Sequence, residues 1–190
     1  MHSGFGQAVQ IEGSRNILMA NNVIFNFGKY GVNISSSSNI TMDGNQISVI
    51  SDFQVGEAPT SEVQPAGLLS CINSDCSQIT VINNVVSGVS NAGFISPGHE
   101  CGASPTQQIF RNNIAHSING YGAIMFSNQA SFTQSELCVE ASYFSAYKCS
   151  QGGVIIYNAT LSATFSNMIL IDNQIGGTIM IGHDDREYDS

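Results

Sequence analysis

The chain has few charges and no tryptophan. Only 10% of its 190 residues are charged, well below the usual quarter, and only five are Lys or Arg. The net charge is −9. Nucleic acids and anionic polysaccharides bind to fields of positive charge, so this composition argues against both as tight partners. The lack of tryptophan weakens the case for a dedicated sugar-stacking platform, and leaves as candidates the rings of Tyr30, Tyr121, Tyr143, Tyr147 and Tyr157.

Long apolar runs are also absent. No stretch reaches the ~18 consecutive apolar residues of a membrane span, so no span is expected in this segment. Residues 1–6 have neither a basic region nor an apolar core, which argues against a signal peptide there. A length of 190 residues favours one domain, over residues 1–190.

The sequence contains a repeat instead. An Asn-centred pattern occurs at residues 16–24, 39–47 and 78–86, with weaker copies at 108–115, 137–144 and 168–175. The second Asn of each copy is Asn22, Asn45, Asn84, Asn113 and Asn173, with Ser142 in the fifth copy. Repeats spaced by 20 to 50 residues are typical of stacked solenoids. The shortest spacing, from Asn22 to Asn45, is too short for two helices and a turn and suits three short strands.

Apolar residues alternate around each of these Asn positions. Ile79 and Val81 lie five and three places before Asn84, and Val86 lies two places after it. A period of two predicts a strand with one buried face. In the fourth copy Gln108 falls on an inward position, which a shift of register near Ile109 or a local bulge would explain.

A second motif, Gly-apolar-any-apolar, follows the Asn copies. It begins at Gly31, Gly67, Gly93, Gly122, Gly153 and Gly177, and residues 7–11 form an opening version. Gly before a strand favours a bend with positive φ. Asn also tolerates left-handed geometry at a bend, and stacked Asn side chains can bond to one another. We therefore interpret the repeated Asn residues as structural.

Together these patterns predict an all-β fold, a right-handed parallel β-helix of about seven rungs. The right hand follows from the general rule for crossovers between parallel strands. Neither end has an evident polar cap, which a stacked core requires, so we expect the segment to be a fragment of a larger extracellular protein.

Cysteines and sequons favour an oxidising, extracellular compartment. The cysteines are Cys71, Cys76, Cys101, Cys138 and Cys149. None has a zinc-site spacing, and no cofactor or metal is expected. Cys71 and Cys76 are close enough in sequence to close a small loop, while Cys138 and Cys149 flank the fifth copy. Candidate glycosylation sites are Asn33, Asn39 and Asn158.

Three stretches carry a resemblance to a known family: residues 91–102, 112–122 and 144–149. With the coil pattern, they resemble the parallel β-helix repeats of fibrocystin and fibrocystin-like proteins, which are large ciliary or cell-surface proteins. The resemblance implies an extracellular β-helix segment of a receptor-like or scaffold protein. The partners it implies are other domains of the same parent protein, other surface or ciliary proteins, and neutral glycans. It carries over no catalytic residues.

Two clusters contain groups suited to acid–base chemistry. His99 and Glu100 lie in an inserted loop one coil before His116, a set that would suit a metal or proton transfer. His183, Asp184 and Asp185 close the last rung, and paired carboxylates of this kind serve glycoside hydrolysis at separations of about 5 to 10 Å. Hydrogen bonding to backbone at the loop base explains the first cluster equally well, and a solvated acidic tail explains the second.

The favoured function is a non-enzymatic structural or adhesive module. One alternative is a glycan-active enzyme of the β-helix type, a hydrolase or lyase, using one of these two clusters. The other is a filament or sheath subunit that stacks head to tail through open rung ends.

Overall fold

A computed structural model describes residues 2–4, 6–50, 65–71, 76–96, 108–126, 138–157 and 162–179. This part of the chain folds into β-strands and contains no helix. The strands are β1 (His2–Gly4), β2 (Val9–Glu12), β3 (Arg15–Ala20), β4 (Val23–Phe27), β5 (Tyr30–Ser35), β6 (Ser38–Asp43), β7 (Gln46–Ile50), β8 (Ala66–Ser70), β9 (Ser77–Ile82), β10 (Val85–Ser87), β11 (Ala92–Ser96), β12 (Ile109–Arg111), β13 (Asn113–Ile118), β14 (Tyr121–Phe126), β15 (Cys138–Ser142), β16 (Phe144–Cys149), β17 (Gly152–Tyr157), β18 (Ser162–Ser166), β19 (Ile169–Ile171) and β20 (Gly177–Ile179).

The strands pair in parallel, and each pairs with the strand three places along the chain. Sheet A has the order β1-β4-β7-β10-β13-β16-β19, and sheet B has the order β2-β5-β8-β11-β14-β17-β20. Sheet C has the order β12-β9-β6-β3, and sheet D pairs β15 with β18. The prediction of an all-β protein with parallel strands is confirmed. Because parallel strands need a long connection, each crossover here includes the two intervening strands.

The interior is built from rows of aliphatic side chains that stay in register from strand to strand. On sheet A one such row contains Ile24, Ile47, Val86, Ala115, Ala146 and Leu170. All of them except Leu170 are fully buried. The rings of Phe94, Phe110 and Phe144 meet near the middle of the stack, with centroids 5.3 to 6.1 Å apart. Successive residues of a strand face opposite ways, so the alternation in the sequence becomes a buried face.

Buried asparagines form a hydrogen-bonded row beside this core. The side-chain oxygen Oδ1 of Asn84 accepts from the backbone N–H of Asn45 at 3.0 Å and from its Nδ2 at 2.9 Å. The same two bonds run from Asn22 to Asn45 and from Asn84 to Asn113. Asn45, Asn84 and Asn113 are fully buried. The predicted stacking of Asn side chains is therefore confirmed for these four residues.

The left-handed bend lies one residue earlier than the sequence suggested. The residues directly before the Asn position have φ between 50° and 64°, and they are Asn21, Gly44, Asn83, Asn112, Tyr143 and Asn167. The buried Asn itself sits where the next strand begins. Its side chain is selected by hydrogen bonding, and the backbone turn is made by its neighbour.

The fifth and sixth copies are shifted from the sequence alignment. Asn113 pairs with Phe144, so Phe144 and not Ser142 occupies the Asn position. Leu170 pairs with Ala146, which places Asn173 at the following bend instead. There its Oδ1 accepts from the N–H of Cys149 at 3.0 Å. The alignment failed because the Asn position of the fifth copy holds the apolar residue Phe144. The nearby polar residues Ser142 and Asn173 were matched to the Asn position instead.

The fourth copy shows no shift of register. Ile109 pairs with Thr80 and Phe110 with Val81, in line with the strands before them. Gln108 is buried on the inward position, at 7% exposure. The expected shift or bulge is therefore wrong. The inward row of sheet C instead accommodates the amide side chain of Gln108 among apolar residues.

Close packing, and not backbone conformation, explains the Gly-led motif. Gly31, Gly67, Gly93, Gly122 and Gly153 are not among the positive-φ residues. A Cβ on Gly93 would lie 2.5 Å from the carbonyl oxygen of Gly122 and 3.0 Å from the Cβ of Ala115. Val154 pairs with Gly177, so Gly153 lies opposite Gly176. The next member of the glycine row is therefore Gly176, one residue before the predicted Gly177.

Replacement of Asn84 by Ala tests the amide row. Its loss leaves the buried N–H of Asn45 without its partner, at about 1–3 kcal/mol, and removes the bonds to the carbonyls of Met42 and Ile82, at about 1 kcal/mol each. We expect the free energy of unfolding, measured by urea denaturation with circular dichroism, to fall by roughly 3 kcal/mol. Asn33→Ala is the control, because the Asn33 amide is only partly buried and bonds Gln7 at 3.2 Å. Equal losses for the two variants would contradict the account.

Replacement of Gly93 by Ala tests the close packing of the glycine row. The added methyl would meet the backbone of Gly122, which cannot rotate away, so we expect a loss of about 2 kcal/mol in the free energy of unfolding. Gly6→Ala is the matched control, since nothing lies within 4 Å of its added Cβ. The measurement is the same urea titration. Unchanged stability of Gly93→Ala would show that the row tolerates a side chain.

Candidate functional surface

One of the predicted acid–base residues lies in the described part of the chain. His116 lies on β13, and its strand register places it opposite Tyr147 of β16. His99 and Glu100 lie outside the described residues, as do His183, Asp184 and Asp185. Within the described residues no three His, Cys, Asp or Glu side chains are grouped so as to hold a metal ion.

His116 and Tyr147 form a stacked pair of rings. Their centroids are 4.8 Å apart and their planes differ by 4°. His116 Nδ1 lies 3.3 Å from the Oγ of the neighbouring Ser117. Ser117 has a φ of 56°, but it shares this geometry with the equivalent bend residues Asn26, Val49, Gly88, Lys148 and Asp172. The conformation of Ser117 therefore belongs to the bend and does not mark it as a nucleophile.

The environment of His116 favours a neutral imidazole. Partial burial lowers the pKa of His116 below its ordinary value, and the positive charge of Lys148 lowers it further. A neutral ring is the form that stacks on Tyr147 without adding a charge to the sheet. Because the folded pKa lies below the unfolded one, protonation as the pH falls through the ordinary value favours the unfolded chain.

The outer side of sheet A is an exposed strand surface of the described residues. We name it the outer strip, and it has two columns. The first contains Val23, Gln46, Val85, Ile114, Ser145 and Ile169. The second contains Phe25, Ser48, Ser87, His116, Tyr147 and Ile171.

The outer strip mixes apolar side chains with hydroxyl groups. Phe25 is 46% exposed, and Ile169 and Ile171 are each 55% exposed. The hydroxyls of Ser48 and Ser87 lie 2.9 Å apart on adjacent strands. Neither column contains Asp, Glu, Lys or Arg. The strip is therefore both amphipathic and free of formal charge while His116 is neutral.

Sheet B differs, because both of its faces are buried along β8 and β11. A second buried apolar cluster, separate from the main core, contains Tyr30, Ala66, Leu69, Ala92 and Ile95, with Ile124 packed against it. Burial raises the pKa of Tyr30 to about 12, and Lys29 Nζ lies 5.5 Å from the centre of its ring. The phenol of Tyr30 is therefore not an available acid–base group near neutral pH.

The cysteines divide into a bonded pair and a buried thiol. Cys71 and Cys76 form a disulfide with their Cα atoms 5.8 Å apart, as their spacing suggested. Cys149 is free and buried, and burial raises the pKa of its thiol to about 11. A thiol with so high a pKa is a poor nucleophile. Cys138 begins β15, and Cys101 lies outside the described residues.

The three candidate glycosylation sites have different settings. Asn39 is exposed, and its Nδ2 donates to Oδ1 of Asn16 at 2.7 Å. Asn33 lies within β5 and is partly buried. Asn158 lies outside the described residues. Glycosylation at these three residues stays a prediction. Of the two that are described, Asn39 is more exposed than Asn33.

Comparison of the chain with protein-family models, with curated proteins and with solved structures finds no match. The described part of the chain contains no helix that is long and apolar enough to cross a membrane. The resemblance to fibrocystin-like proteins therefore stays a prediction.

Sequence reasoning missed the outer strip. It noted Tyr147 as a candidate ring and His116 as a candidate base, but it did not place them side by side. Their alignment depends on the register of β13 and β16, and the fifth copy was aligned two residues away from that register. Once Phe144 is matched with Asn113, the same alternation that predicts the core also predicts the strip.

Replacement of Lys148 by Gln tests the electrostatic setting of His116. Removing the positive charge should raise the pKa of His116, but not to its ordinary value, because burial remains the larger cause. The measurement is an NMR titration of the imidazole. Lys29→Gln, between β4 and β5, is the control and should leave that pKa unchanged. A pKa of His116 that is unaffected by Lys148→Gln would contradict this assignment.

Proposed function

We infer that the chain winds as a right-handed parallel β-helix of about seven rungs, in one domain. The inference is supported by sheets A and B, which each have seven strands, and by the constant step of three strands between partners. Sheets C and D supply the third side of the winding. The right hand follows from the strong preference of parallel crossovers for that hand.

We propose that this β-helix is a non-enzymatic structural or adhesive module of a large ciliary or cell-surface protein, of the kind represented by fibrocystin-like proteins. The observation that carries the proposal is the position of the repeated residues. The amide row, the glycine row and the aliphatic rows all face inward. The repeat therefore serves stacking, and the exposed positions vary from strand to strand.

A rigid stack with a variable exterior suits a spacer or a binding surface. Each strand adds a rise of about 4.8 Å, so seven strands extend roughly 30 Å. Solenoids of this kind use their extended faces for recognition. The outer strip is such a face, and its exposed rings and hydroxyls favour adhesion.

The Cys71–Cys76 disulfide supports an extracellular location. Disulfides persist in oxidising compartments and are rare in the cytosol. The loop that it closes is short, so its entropic contribution to stability is about 2 kcal/mol. The proposed location is the cell or ciliary surface, where other domains of the parent protein and neighbouring surface proteins would be the partners.

The proposal is tested with the intact chain immobilised on a plate. We expect it to retain cultured ciliated epithelial cells through washing, because an adhesive module acts when it is presented as a surface. The same protein should release no reducing ends from a panel of plant and animal polysaccharides. Bovine serum albumin coated at the same density is the control for retention.

Enzymatic breakdown of a polysaccharide by the chain would contradict the proposal of a non-enzymatic module. Release of reducing ends that is abolished by the His183→Ala, Asp184→Ala and Asp185→Ala variant, or by His116→Ala, would favour the alternative of a glycan-active enzyme. Failure to retain cells above the albumin control would remove the adhesive role.

A further inference from the structure

We propose that the outer strip of sheet A binds an uncharged glycan chain laid along the stack of strands. The inference rests on the proposed adhesive function and names its ligand class and its surface. Three properties of the strip support it: its lack of charge, its mixture of rings and hydroxyls, and its narrow shape.

The lack of charge selects against polyanions. The two columns contain no Lys or Arg that would pair with a carboxylate or sulfate, and the chain as a whole carries a net charge of −9. A polyanion brought to this strip would find one cation beside the columns, Lys148, and would be repelled by the net negative charge of the protein. A neutral polymer has no such cost.

The mixture of groups matches the surface of a sugar. A sugar ring presents C–H groups on its faces and hydroxyls at its edges. On the strip Phe25 is half-exposed at one end, and the stacked rings of His116 and Tyr147, 4.8 Å apart, lie near the other end, before Ile171. Ser48 and Ser87 lie between them with hydroxyls 2.9 Å apart. Along the direction in which the strands stack, the second column thus presents one ring, then two hydroxyls, then two rings.

The shape of the strip favours a single extended chain over a folded partner. Same-side residues of a strand are about 7 Å apart, and six strands stacked at about 4.8 Å give a length near 25 Å. The resulting area of a few hundred Å² is well below the roughly 800 Å² per partner that a stable protein interface buries. A second copy of this chain is therefore not held by the strip alone, whereas a polymer one sugar wide can occupy its whole length.

The test is affinity electrophoresis of the intact chain in gels that contain dextran, laminarin or galactomannan, with hyaluronan as the anionic comparison. We expect at least one neutral polymer to retard the protein and hyaluronan to retard it less. Tyr147→Ala and Phe25→Ala should each weaken binding by about tenfold, since each variant removes a ring on which a sugar face can stack. Tyr147→Phe, which keeps the ring, should bind within a few-fold of the wild type.

Leu18→Ala is the matched control, because Leu18 is a large exposed side chain on sheet C, away from the strip. It should bind as the wild type does. Circular dichroism and the unfolding midpoint establish that each variant is folded. The proposal is overturned if no neutral polymer retards the chain, if hyaluronan binds more tightly, or if Leu18→Ala loses as much affinity as Tyr147→Ala.

The plate assay separates this inference from the proposed function. Cells retained equally by the wild type and by Tyr147→Ala, with no polysaccharide binding, would overturn the glycan strip and leave the adhesive module standing. Polysaccharide binding without retention of cells would support the strip and remove cell adhesion.

Discussion

The side-chain amides of Asn22, Asn45, Asn84 and Asn113 form a hydrogen-bonded row through the interior, and the register of the surrounding strands depends on it. The Oδ1 atoms of Asn45, Asn84 and Asn113 each accept from the backbone N–H of the preceding member, so these three amides satisfy N–H groups in the interior that would otherwise lack a partner. The bond geometry is met only when neighbouring strands are aligned residue for residue. A slip by one residue would strand these groups and turn the aliphatic rows outward.

The other internal features follow from that alignment. Glycine backbones approach so closely that Gly93 leaves no room for a Cβ, and the aliphatic side chains lie directly above one another. Where the amide row ends, Phe144 takes the Asn position and joins Phe94 and Phe110 in a ring cluster. Hydrogen bonding in the first part of the stack is thus replaced by aromatic packing in the next. Because the interior fixes the register, the exterior is free to vary, and it places His116 on Tyr147.

The sequence predicts what depends on spacing and alternation, and it fails where two explanations share one residue type. Ile24, Ile47 and Val86 are buried as the alternation requires. The glycine row was attributed to backbone freedom because glycine serves both positive φ and close packing, and only the contacts distinguish these. The fifth copy was misaligned because Phe144 carries no amide. The pairing of His116 with Tyr147 was missed for the same reason, and the clusters at His99 and His183 lie outside the described residues.

Hydrogen exchange of the side-chain amides tests the central role of the amide row most directly. In an NMR exchange experiment on the folded chain, the Nδ2 protons of Asn84 and Asn113 should exchange only when the whole domain unfolds, because they are fully buried and bonded to Met42, Ile82 and Val81. The exposed Nδ2 of Asn39 should exchange rapidly. Rapid exchange at Asn84 and Asn113, at the rate of Asn39, would contradict a buried amide row and the strand register that depends on it.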